Sequence, residues 1–155
     1  MVYILLNSVI RLNNNKKKDT MKSDDELLEI AIDKAKKVVH KNKTTGRYAP
    51  TIVAMAYDSS HNLLACRTNS YVKTHPRQKH YAVLAGKPDK IFLHAEISAL
   101  VSTRSQVDIL VVARVNSGTL EPECAKPCPI CQLAIVDYNI TRVIFSEKKE
   151  MCDNV

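Results

Sequence analysis

The sequence predicts a three-layer α-β-α domain on a mixed sheet of four to five strands, and three observations predict it. The 155 residues, 45% of them hydrophobic, suffice for one core and one domain. Apolar residues recur at helical spacing in three stretches and form four short runs bounded by turn residues, in the order α-β-β-α-β-α-β. The run from Asp108 to Val115 is almost continuously apolar, as in a strand covered on both faces, and two of the helices cross between strands.

Each element has its own signal. Residues 1–20 read as a disordered N-terminal extension, because Asn13-Asn14-Asn15-Lys16-Lys17-Lys18 is low in complexity and offers no packing face. Met21 stands just before a helix start and is a candidate initiator. Residues 21–146 then form the domain and 147–155 a polar tail. Ser23 and Glu26 make a capping box, and Leu27, Leu28, Ile30, Ala31, Ala35, Val38 and Val39 extend a first helix over about 24–42, ended by Thr44-Thr45-Gly46. Thr51 to Tyr57 reads as a strand, Asp58 to Asn62 as a turn and Leu63 to Arg67 as its antiparallel partner. The long polar connection from Thr68 to Lys90 calls for some helix of its own, for which Tyr81 to Ala85 is the candidate. A second helix starts around His94 and a third at Cys128, with the Asp108–Val115 strand between them. Arg142 to Phe145 is the last strand.

Composition narrows the setting. No apolar run approaches the roughly 20 residues of a membrane span, and the apolar stretch Val2 to Leu6 precedes its basic cluster, the reverse of a secretory signal. Five cysteines, two of them in a C-x-x-C, fit metal binding in a reducing cytoplasm better than a disulfide framework. The net charge of +7 favours polyanions or phosphorylated substrates, but residues 1–20 hold Arg11, Lys16, Lys17 and Lys18 against Asp19 alone. The remaining surplus is modest, and a solvated basic surface explains it equally well.

His94, Ala95 and Glu96 at one helix start and Pro127-Cys128-Pro129-Ile130-Cys131 at the next are the residues that carry chemistry. Structural zinc sites close with four protein ligands, whereas catalytic sites keep one position open for water. His94, Cys128 and Cys131 make three ligands for Zn2+, and Glu96 lies close enough to hydrogen-bond a water at the fourth position. The two cysteines are three apart at a helix start, so their sulfurs share one face where backbone N–H groups and the dipole favour thiolate. Zinc lowers the pKa of water from about 15.7 toward roughly 7, and Glu96 can pass its proton to a ring nitrogen and then to a leaving amine. This H-x-E…P-C-x-x-C pattern is similar to that of zinc deaminases. A different class stays open: a non-catalytic zinc-stabilised interaction domain, closed by Cys124 as the fourth ligand.

The same residues resemble the cytidine deaminase superfamily over about residues 23–146, sharply only in His94-Ala95-Glu96-Ile97 and Pro127-Cys128-Pro129-Ile130-Cys131. The resemblance implies a cytidine deaminase-like fold, His94, Cys128 and Cys131 on zinc, and Glu96 as proton shuttle. It implies that the Ala95 backbone holds the base carbonyl and that Asn69, after the second strand, contacts the sugar, though Asn69 also suits a plain turn role. The Pro-Cys-x-x-Cys form looks like the deoxycytidylate and tRNA deaminase branch, phage-encoded deaminases of the deoxycytidylate type included. The expected reaction is hydrolytic deamination of a cytosine-type nucleotide, dCMP to dUMP, by a water activated on zinc. Deamination of tRNA or single-stranded DNA is the alternative. The expected partners are a small nucleotide, or else a nucleic acid, with no membrane, and a second copy of the chain because relatives are often oligomeric. The expected location is the cytoplasm, that of a host cell if the chain is phage-encoded. Three departures stand out: 33 residues separate His94 from Cys128, the chain ends soon after the last strand, and no glycine-rich effector region is visible.

Other features carry two readings each. Lys73, His75, Arg77, Lys79, His80, Lys87 and Lys90 make the connection before the zinc helix basic, either as a mobile loop that binds phosphate or as an ordinary solvated loop. Tyr71 and Tyr81 can stack on a base, although packing is the expected role of each. His40 and His61 are expected at the surface, Cys66 in a strand without a reactive role, and Cys152 in the tail.

Overall fold

Strand β1 (Val2–Ile4) comes first in the chain, followed by helix α1 (Asp24–Lys43). A computed structural model describes residues 2–4, 21–43 and 51–148. In α1 the capping box closes as the sequence requires. The Ser23 amide donates to the Glu26 carboxylate at 2.6 Å, and the Glu26 amide donates to the Ser23 hydroxyl at 3.2 Å. Leu27, Ala31, Ala35 and Val39, four residues apart, form the buried stripe. The stop at Thr44–Gly46, residues 5–20 and Cys152 lie outside the described residues.

Strands β2 (Ile52–Tyr57) and β3 (Leu63–Thr68) pair antiparallel. Their turn is drawn around the Asp58 carboxylate, which accepts from the Ser60 amide, the Asn62 amide and Asn62 Nδ2, each at 2.9 Å. His61, expected at the surface, is only 8% exposed. The turn holds His61 at φ 63°, with both ring nitrogens buried and without a partner among the described residues.

The connection that follows is more ordered than its composition suggests. Helix α2 (Pro76–Leu84) begins before the expected segment, because His75 caps it and Pro76 opens it. His75 Nδ1 accepts from the Arg77 amide at 3.1 Å. Arg77, Lys79 and His80 therefore sit on a helix and not in a mobile loop. Tyr81 is buried, and its hydroxyl donates to the Asp137 carboxylate, so it packs and does not stack on a ligand.

Helix α3 (Ala95–Val101), strands β4 (Ile109–Val115) and β5 (Pro122–Glu123), helix α4 (Pro129–Asp137) and strand β6 (Arg142–Phe145) follow among the described residues. The sheet order is β1-β6-β4-β2-β3, with β5 paired to the end of β4. β2 is antiparallel to β3 and β4, while β4 and β6 run parallel, Leu110 opposite Val143 and Val112 opposite Phe145. The sheet is mixed, with the four anticipated strands and two short additions.

One addition falls in the segment expected to be disordered. Val2–Ile4 pairs antiparallel with β6, Val2 opposite Ile144. Three residues of strong β preference meet an otherwise open sheet edge there.

The layers follow from the period of two along β4. Leu110 and Val112 face the side covered by α2, α3 and α4, whereas Val111 and Ala113 face α1. Both faces of β4 are thus buried, which accounts for its continuous apolar run. Since β3 and β4 are both antiparallel to β2, they run in the same direction. Just past the carboxyl end of β3 the Ser70 amide donates to the Leu93 carbonyl ahead of α3, and near the carboxyl end of β4 Ser146 bonds both Val112 and Ala125 ahead of α4, so both helix starts lie along one edge of the sheet.

Candidate metal centre and adjoining pocket

His94 and Cys128 occupy equivalent places, each the N-cap of its helix in extended backbone conformation. Their carbonyls accept the first helical bonds, from Ser98 to His94 and from Gln132 to Cys128, both at 2.9 Å. The approach to Cys128 is fixed from two sides. The Ala125 amide donates to the Ser146 carbonyl at 2.9 Å, and Gln132 Nε2 donates to the Pro127 carbonyl at 2.8 Å. Buried Ser146 also links β5 to β4, its hydroxyl accepting from the Arg114 amide at 3.0 Å and donating to the Glu123 carbonyl at 2.7 Å.

These two starts bring together His94, Cys128 and Cys131, whose donor atoms all lie within 4.8 Å of one another. His94 Nδ1 is 3.4 Å from each sulfur. A tetrahedral zinc with bonds of about 2.05 Å to nitrogen and 2.3 Å to sulfur places N and S roughly 3.5 Å apart, so the observed edges fit that ion. Among the described residues no fourth donor joins the group. Cys124 is exposed and outside it, which leaves the closed four-ligand knot without its ligand.

Mutual hydrogen bonding shifts the two thiols in opposite directions beside an imidazole. The Cys128 thiol is pushed down to about 4, first by a hydrogen bond from Cys131 and then by the bond to His94. Cys131, the donor in that bond and deeply buried, is held well above the ordinary thiol range. The bond to Cys128 raises His94. Glu96, in the first turn of α3, is 4% exposed, and burial raises its carboxyl. Its Oε2 is buried with no partner among the described residues. An orphaned carboxylate oxygen beside three soft donors fits a site that holds a metal and a further polar ligand.

His94 also lines a cavity of about 410 Å3 with Ile52, Asn69, Tyr71, Lys90 and Phe92 among its walls. That volume falls within the roughly 300–1,000 Å3 usual for small-ligand sites. Asn69 closes the end of the β2–β3 pair: its Oδ1 accepts from the Ile52 amide at 2.9 Å, and its own amide donates to the Ile52 carbonyl at 3.3 Å. Ala95 is fully buried as the first residue of α3, where a backbone amide has no acceptor within its own helix. Tyr71 and Phe92 are 52% and 47% exposed at the cavity wall. A second cavity of about 390 Å3, between α4 and β6, is largely apolar and is lined by none of His94, Glu96, Cys128, Cys131, Asn69 and Ala95.

Sequence reasoning missed Phe92, Ile52 and Gln78. Phe92 was findable, since it stands two residues before His94 on extended chain and so shares its side. Gln78 carried no such signal. It is completely buried on α2, where it bonds the backbone of the segment that leads into His94.

No protein-family model matches the chain, and no curated protein matches its sequence. Fold and site together define a class: a three-layer α-β-α protein with a three-donor centre able to hold a metal ion next to a small-molecule-sized cavity. No helix among the described residues is long and apolar enough to cross a membrane.

Proposed function

We propose that the protein is a zinc-dependent hydrolytic deaminase of the cytidine deaminase type, acting on a cytosine nucleotide and converting dCMP and water to dUMP and ammonia. The observation that carries this reading is the buried, unpartnered Glu96 Oε2 beside the His94, Cys128 and Cys131 donors. His94 Nδ1 and the two cysteine sulfurs would hold the ion. Zinc there would supply a Lewis acid that makes water nucleophilic near neutral pH. Glu96 takes a proton from the attacking water, delivers it to the ring nitrogen, and returns the next proton to the departing amine. The C–O bond forms and the C–N bond breaks at the amine-bearing ring carbon, with no redox change. Asn69 orients the sugar, the Ala95 amide the base carbonyl, and Lys90 the phosphate at the rim of the cavity.

A longer single strand is the second reading, supported by the exposed rings of Tyr71 and Phe92 at the cavity wall, which offer stacking faces for neighbouring bases. An ammonia-release screen over bases, nucleosides, mononucleotides and short oligonucleotides separates the two. Turnover of dCMP with little oligonucleotide affinity supports the first reading, and salt-sensitive oligonucleotide binding with turnover supports the second. A fully zinc-loaded protein inactive on the whole panel refutes both.

A further inference from the structure

We infer that Gln78 is a positioning residue for the candidate metal centre, an inference that rests on the metal-binding reading of His94, Cys128 and Cys131. Gln78 is 0% exposed on α2, and its amide spans the segment that leads into α3. Nε2 donates to the Lys90 carbonyl at 3.0 Å, and Oε1 accepts from the His94 amide at 3.1 Å. One side chain thus holds both ends of residues 90–94, the strip that supplies Lys90, Phe92, Leu93 and His94 to the cavity wall.

The strip is clamped from opposite sides. The Leu93 amide donates to the Lys73 carbonyl at 2.9 Å, and the Leu93 carbonyl accepts from the Ser70 amide at 2.8 Å. Successive amides point to opposite sides of an extended chain, so the His94 amide turns away from those partners and toward Gln78. His94 has no side-chain capping bond of its own. Its imidazole is committed to the sulfurs at 3.4 Å, and its backbone is fixed before the helix by Gln78. Metal sites tolerate only about ±0.2 Å in ligand distances, so freedom of the His94 backbone carries directly into the position of Nδ1. A glutamine suits this task because it carries a donor and an acceptor on one planar group.

The test compares Gln78→Met, which keeps the volume and removes both bonds, with Val39→Ala, a core substitution on α1 on the other side of the sheet. Zinc affinity is measured by chelator competition, and the cobalt-substituted forms are compared by their visible spectra, which report coordination geometry. Gln78→Met is expected to weaken zinc binding about 10–100-fold, as loss of a ligand-orienting partner does, and to shift the cobalt bands. Val39→Ala lowers thermal stability but keeps affinity within about twofold. Wild-type affinity and an unchanged cobalt spectrum in folded Gln78→Met would overturn the inference while leaving the metal centre intact; a wild-type chain that binds no zinc overturns both. Should Gln78→Met not fold, exchange of the His94 amide in the wild-type protein decides. Protection comparable to that of Val111 in β4 supports the clamp, and exchange at the rate of an open amide overturns it.

Discussion

Replacing Cys131 by Ser removes one donor of the proposed centre with little change in volume, and its effect can be sized. Cys131 is wholly buried and its sulfur is 3.4 Å from His94 Nδ1, so a shorter, harder hydroxyl there leaves the ion with two soft donors. Zinc bound by small structural sites is worth about 10–16 kcal/mol over its ligands. One donor in three or four therefore accounts for about 3–5 kcal/mol, or roughly two to three and a half decades in Kd. The assay is chelator competition, with thermal unfolding as a second readout. At a free zinc concentration about 100 times Kd, the wild-type protein gains about 2.7 kcal/mol, which raises the Tm of a domain this size by about 5–10 °C. Cys131→Ser should lose nearly all of that gain at the same concentration. Cys124→Ser is the control: exposed and outside the donor group, Cys124 should leave both affinity and the Tm gain unchanged. An equal loss in Cys124→Ser would refute the reasoning and point to a closed four-ligand site.

Further outcomes follow from individual contacts. Tyr57 and Tyr81, both pushed up to about 12 with burial as the first cause, keep protons that the unfolded chain releases near its ordinary value of 10. The folded state then binds more protons than the unfolded one, so stability is intact below about pH 10 and falls as pH rises through 12. Tyr81→Phe should remove its share of that slope in a pH series of denaturant melts and cost about 1–3 kcal/mol at neutral pH through loss of the bond to Asp137. Ser146→Ala strands the Arg114 amide and the link to β5, and should lower stability by about 1–3 kcal/mol, measured by urea unfolding. Lys90→Ala should raise KM for the mononucleotide about 2–5-fold while leaving the nucleoside unaffected, as expected for one exposed cation near a phosphate.

Much of this structure was legible in the sequence because several local signals agreed. The capping box at Ser23, the turn at Asp58 and the nearly continuous burial of Ile109–Val115 each follow from a short-range rule, and together they give the layer order. The donor set was legible for the same reason, since His94 and the Cys128–Cys131 pair sit at two helix starts that the topology sends to one sheet edge. What escaped depended on partners far away in the chain. β5 is two residues whose strand character comes from pairing with β4, and Val2–Ile4 is a strand through β6. The start of α2 was hidden because His75 is an unusual cap, although Pro76 at the first helical position was a usable sign. Gln78 and His61 show the same limit: whether a polar side chain is buried depends on what folds over it, and no period in the sequence reports that.

The most direct measurement follows dCMP turnover by wild-type and Glu96→Gln proteins, each carrying one zinc. Glu96 is proposed to move protons and not to hold the ion, so the two should bind zinc alike. The wild-type protein should release one ammonia per dUMP formed, while Glu96→Gln should be slower by about 10²–10⁴-fold, the range of a lost acid–base group. Undiminished turnover by zinc-loaded Glu96→Gln, or no turnover by zinc-loaded wild-type protein, would contradict the account.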